Sequence, residues 1–96
     1  MSSGSASKLN IDVAAVQSRE ALHQLLAASF HFPDYYGRNW DAFDECIRDV
    51  TLPAQVTIRG LKALRHRLPR EAELLSQCIR GFVAEDSNRN VTLVDS

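Results

Sequence analysis

Three short stretches of the chain alternate apolar with polar residues, and a long segment with a helical repeat separates each from the next. Leu9, Ile11 and Val13 alternate with Asn10 and Asp12, and Val56 and Ile58 alternate with Gln55, Thr57 and Arg59. Residues 91 to 94, VTLV, close the series. Period two marks a strand with one buried face. Strands joined by tight turns lie antiparallel, whereas strands separated by helical crossovers imply parallel pairing and right-handed connections. The expected fold is therefore α/β, a three-stranded parallel sheet packed with helices.

The intervening segments supply four helices. Ser18 caps a helix running to about Ser29, with Leu22, Leu25 and Leu26 on one stripe, and the HFPD stretch breaks it before Pro33. Asn39 caps a second helix over about 40 to 49, with Trp40, Phe43, Ile47 and Val50 pointing inward, and Pro53 ends that segment. Gly60 precedes a short helical piece carrying Leu61, Leu64 and Leu68. Pro69 suits the first turn of a longer helix to about Glu85, whose buried stripe is Leu75, Cys78, Ile79, Phe82 and Val83, and which Gly81 weakens locally.

At 96 residues, 45% of them hydrophobic, the chain can build one modest core but not two. Residues 8 to 96 read as a single domain, and the small, polar residues 1 to 7 as a disordered tail or leader. No apolar run approaches the roughly 18 residues of a membrane span. The first residues lack the basic and apolar regions of a secretory signal, so cytoplasm is the expected compartment.

The stretch PDYYGRNWDAFDE, residues 33 to 45, carries more chemistry than a connection needs. At 100° per residue, an inward Trp40, Phe43 and Ile47 put Asp41 and Glu45 on the outward side, one turn apart. Asp44 lies at the flank, four residues before Arg48 and placed to pair with it. The helix dipole accounts for Asp41, by roughly 0.3–1 kcal/mol, but fades before Glu45. One tyrosine is explained as a core aromatic with a satisfied hydroxyl, and Gly37 allows the turn a positive φ. Three readings remain: a helix start, a catalytic or metal-binding carboxylate cluster, and a surface that meets something positively charged.

For catalysis the supporting residues are missing. His23, His31 and His66 have no partner at a motif spacing, and each is expected to be solvated or at the core edge. No His–carboxylate motif or phosphate-cradling glycine loop accompanies the acids, so no metal or cofactor is expected and the chain does not read as an enzyme. Cys46 and Cys78 lack the further ligands zinc requires and read as small buried hydrophobes. Binding suits the residue types better. Tyrosine gives rigid contact area, and carboxylates delivered into a basic pocket occupy the donors that phosphate oxygens use.

Net charge is only −1, yet its distribution is uneven. Asp34, Asp41, Asp44, Glu45 and Asp49 face only Arg38 and Arg48 over residues 34 to 49, whereas Arg59, Lys62, Arg65, Arg67 and Arg70 have no acid among them. Such polarity steers association even when the total cancels. The basic run offers the alternative function, a nucleic-acid-binding module over residues 59 to 70. Its interleaved leucines are equally those of a solvated amphipathic face.

PDYYGRNWDAFDEC resembles the signature segment of the barstar family, intracellular protein inhibitors of barnase-type bacterial ribonucleases. ALHQLL on the first helix, the closing VTLV, the chain length and the order of elements are similar too. The resemblance implies an inhibitor or antitoxin that inserts its second helix and the preceding loop into a nuclease active site. Its implied partner is a basic ribonuclease or toxin nuclease, bound one-to-one, rather than nucleic acid or a membrane. Tyr35, Gly37, Asn39 and Asp41 match family interface positions. Glu45 falls where the family protein has an aspartate, Asp44 where it has a tryptophan and Trp40 where it has a leucine. A further acid that the family supplies from its last long helix finds only loose counterparts in Glu85 and Asp86.

Overall fold

A computed structural model describes residues 8–33, 36–37, 39–50 and 52–95. The N-terminal tail, Asp34, Tyr35 and Arg38 lie outside the described residues. Strand β1 (Lys8–Asp12) leads to helices α1 (Arg19–Phe30) and α2 (Trp40–Asp49), then β2 (Gln55–Arg59), α3 (Leu61–Arg67), α4 (Pro69–Glu85) and β3 (Val91–Leu93). The strands form one parallel sheet in the order β1-β2-β3, as the alternating stretches imply. Lys8 pairs with Gln55 and Asp12 with Arg59 on one side of β2, and Val56 pairs with Val91 on the other. Every connection in the sheet is thus a helical crossover. Among the described residues no helix is long and apolar enough to cross a membrane.

Local chemistry sets the helix ends. Ser18 accepts a hydrogen bond from the Ala21 amide at 3.1 Å and so caps α1. His31 ends that helix in the left-handed region (φ 60°), a conformation uncommon outside glycine, while its amide bonds back to Ala27. Pro69 opens α4 at a position where its missing N–H costs nothing. Gly60 turns β2 into α3 at φ 83°, and a Cβ there would meet the Ala14 backbone nitrogen at 2.7 Å. Gly37 does not adopt the positive φ that glycine allows. An added Cβ there would lie 3.2 Å from the Asn39 side-chain amide nitrogen, a tight approach that the side chain would have to relieve by a small shift.

Helix α4 packs on α2, α3 and β3, while α1 lies against β1. The core gathers Ile11, Val13, Leu22, Leu26, Phe43, Ile47, Val56, Ile58, Leu64, Leu75 and Ile79. Cys46 is buried and Cys78 half-buried, both as free thiols, and burial pushes both thiol pKa values up. Within the predicted stripes Val50, Leu68 and Val83 are only partly covered, whereas Ala72 and Ser76 of α4 are buried. Aromatic rings continue the core beneath the loop between α1 and α2. Phe43 meets Phe30, Phe32 and Trp40, and Phe32 meets Phe30 and Tyr36, with ring centroids 4.9–6.2 Å apart.

Candidate partner-binding surface

The α1–α2 loop and α2 place most of the residues singled out from the sequence side by side. Asn39 caps α2 as expected: its Oδ1 accepts from the Ala42 amide at 2.7 Å, and its side-chain amide donates to the Gly37 carbonyl at 3.3 Å. One side chain therefore fixes both the turn and the helix start. Asp41 and Glu45 are exposed on α2, and Asp49, also exposed, continues the same row at four-residue spacing. Asp49 belongs to this row on the same spacing argument, although the sequence reading left it outside the site. Among the described residues none of the three carboxylates has an ion-pair or hydrogen-bond partner.

Asp44 differs from these. Its carboxylate lies 2.6 Å from Arg48, the (i, i+4) pair expected. Arg48 also grips Glu85 of α4 with Nε and a second guanidinium nitrogen, and Glu85 in turn takes Arg89 at 3.0 Å. Hydrogen bonds from Arg48 first, and from Arg89 second, hold the Glu85 carboxyl down to about 2. The same contacts raise the Arg48 pKa. Glu85, one of the two loose counterparts for the family's further acid, is thus spent on tying α4 to α2. The other, Asp86, is exposed and accepts from the Asn88 amide at 2.9 Å.

Trp40 sits between site and core. It is half-buried, and its indole N–H donates to Glu71 of α4 at 2.9 Å, while Arg19 of α1 reaches the same carboxylate oxygen at 3.6 Å. Its ring lies 4.6 Å from His23 and 5.4 Å from Phe43. Tyr36 is the core tyrosine of the pair, buried with its hydroxyl 2.6 Å from His23 Nδ1. Tyr35 lies outside the described residues.

His23 corrects a sequence expectation. It was placed at the core edge or in solvent and is instead fully buried. Its position between Leu22 and Leu26, seven residues before Phe30, puts it on the apolar stripe of α1, and that spacing was the available signal. Burial lowers its pKa, with Arg19 adding to the effect and Glu71 and Glu20 opposing it. His31 and His66 are exposed, as expected.

The basic segment divides. Lys62, Arg65, His66 and Arg70 are exposed and Leu61 and Leu64 buried, as an amphipathic face requires. Arg67, however, donates to the carbonyls of Ala14 at 2.7 Å and Val16 at 3.0 Å. Arg65 meets Asp95 at 3.2 Å, and Arg59 is registered beside Asp12. Among the described residues no group of three or more His, Cys, Asp or Glu is placed to hold a metal ion.

The described residues define a small α/β protein, a three-stranded parallel sheet with four helices, whose α2 carries three carboxylates that find no partner among them. The chain belongs to the barstar family: the family model described as barstar (barnase inhibitor) matches residues 6–95. That family is characterised by inhibition and not by a reaction. A Bacillus subtilis (strain 168) protein named "Putative ribonuclease inhibitor YrdF" is 38% identical over 56 residues. The match covers 57% of this chain and 62% of that protein's length.

Proposed function

We propose that this protein inhibits a basic ribonuclease or toxin nuclease as a one-to-one protein complex in the cytoplasm, acting as an antitoxin. Asp41 and Glu45 enter the nuclease's phosphate-binding site, Gly37 and Asn39 shape the approach, and Tyr35 and Trp40 frame it. The observation that carries this reading is the contrast along α2. Asp44 is committed to Arg48, whereas Asp41 and Glu45 stand exposed on one face with no partner among the described residues. Unpaired carboxylates at helical spacing keep their full capacity for charged hydrogen bonds to arginine and lysine. Asp44 contributes at the flank, where a partner's cation must compete with Arg48.

Family membership and the name of the Bacillus relative support the same reading. No observation favours the nucleic-acid alternative, because Arg65 and Arg67 are already engaged within the chain. The test is a calorimetric titration into a barnase-type ribonuclease at low and physiological salt. One-to-one binding, weakened by salt, is expected. Asp41→Asn and Glu45→Gln should each weaken it by about tenfold or more, the loss that follows removal of a charged hydrogen bond. Unchanged affinity in both variants would remove α2 from the interface.

A further inference from the structure

Among the described residues the most heavily buried polar side chain packs against the start of the proposed surface. His23 is 0% exposed, and its Nε2 has no hydrogen-bond partner among them. Buried polar atoms are nearly always paired, so an orphan at this position calls for an account. The imidazole touches the two residues that bracket the turn into α2. Its Nδ1 meets the hydroxyl of Tyr36, the residue before Gly37, at 2.6 Å, and its ring lies 4.6 Å from Trp40, the first residue of the helix. Between these two contacts stand Gly37 and Asn39, whose side chain caps the helix carrying Asp41.

We propose that His23 is the positioning residue of this surface and that it holds Tyr36 and Trp40 in place only while its imidazole is uncharged. Target binding then carries an acid-sensitive step that belongs to the inhibitor itself. The idea rests on the inhibitor reading above and adds a means of regulating it.

The chemistry follows from the two nitrogens. A neutral imidazole with its proton on Nε2 accepts the Tyr36 hydroxyl at Nδ1, leaving one weakly polar N–H among aromatic rings. Protonation places a second N–H at Nδ1, facing the hydroxyl proton, and puts a full charge in a dry site. Tyr36 must then turn its proton elsewhere, and Nε2 still finds no acceptor. The charged groups around the imidazole do not rescue it. On α1, Arg19 disfavours the cation and Glu20 favours it weakly. From α4, Glu71 favours it, but that carboxylate already takes the Trp40 N–H and faces Arg19. Tyr36 is influenced by Cys46 of α2 and Cys78 of α4, and its own pKa is raised by burial, so it stays a neutral phenol throughout this range.

The sign is therefore fixed. Burial depresses the folded-state pKa of His23 below its ordinary 6.5, so the arrangement is complete above that pH. It weakens as pH falls from 6.5 through the lowered value.

The test compares the full-length protein with His23→Asn, whose amide occupies the Nδ1 side and takes no charge. Affinity for a barnase-type ribonuclease is measured from pH 8 to pH 5. Ionisation of the nuclease is common to both titrations, so their ratio isolates His23. Wild type should lose severalfold more affinity than His23→Asn as the pH falls across that range. Superimposable profiles would overturn the proposal.

A second measurement needs no partner: the imidazole nitrogens, the Trp40 indole N–H and the Tyr36 ring are followed by NMR through the same pH range. A common midpoint below 6.5 supports the positioning role even where no nuclease binds, which would count against the function alone. An imidazole midpoint at or above 6.5, or indole and phenol signals that ignore it, would overturn the role. Should His23→Asn fold poorly, Tyr36→Phe removes the hydroxyl that the neutral imidazole accepts, and the imidazole midpoint should then rise; an unmoved midpoint would overturn the role.

Discussion

Substituting Gly60 by alanine tests whether the β2–α3 corner is as tightly built as its geometry indicates. Two costs arise together. The backbone sits at φ 83°, in the left-handed region, where a Cβ costs about 1 kcal/mol. The new methyl would also meet Ala14 Cβ and N at 2.7 Å and its Cα at 2.9 Å. The N and Cα are backbone atoms of the turn that follows β1, so relief requires moving the turn, and overpacking of this kind costs about 1–3 kcal/mol. The same turn supplies the Ala14 carbonyl that Arg67 binds, so a shift there loosens α3 as well. The sum is about 3 kcal/mol, which in a domain of this size lowers the melting temperature by roughly 15 °C. Urea unfolding followed by circular dichroism, with the slope unchanged, measures it. Gly81→Ala is the matched control: it lies exposed within α4, nothing stands within 4 Å of its added Cβ, and it should gain about 0.5–1 kcal/mol. A loss below about 1 kcal/mol at Gly60 would refute the reasoning, and a loss at Gly81 would count against the geometry of α4.

Two smaller perturbations probe how the surface is held. Asn39→Ala removes the cap of α2 and the tie to Gly37, so it should cost about 1 kcal/mol of stability in the same urea assay and also weaken nuclease binding. Arg67→Met deletes two bonds to the carbonyls of Ala14 and Val16 and should lower stability by about 1 kcal/mol while leaving nuclease affinity unchanged. Intact stability in the second variant would return Arg67 to the pool of free cations.

The periodic parts of the fold were legible because periodicity is local. Pro69 and Glu85 bound α4 as read, Ser18 and Asn39 cap the helices they were expected to cap, and the alternation at Val56 and Ile58 marks the central strand. Asp44 and Arg48 pair because both lie on one helix. Contacts between distant segments were not legible. Trp40 finds Glu71, 31 residues on, and Arg48 finds Glu85, 37 residues on, with no spacing rule to announce either. His23 has no partner at a motif spacing, and only its place on the apolar stripe of α1 points to its burial. Gly37 allows a positive φ but does not adopt one.

The parallel register has a consequence in time. Pairing Lys8 with Gln55 closes a chain segment that contains both α1 and α2, and pairing Val56 with Val91 closes one that contains α3 and α4. Neither closure has a hairpin to begin from, so the sheet must wait for long-range encounters, and chains of this kind fold more slowly than helical bundles. Helix α2 has only ten residues, too few to persist alone in water. The row of carboxylates therefore comes into being only when α4 has formed and α2 packs on it. A nascent or nicked chain offers no partial version of it.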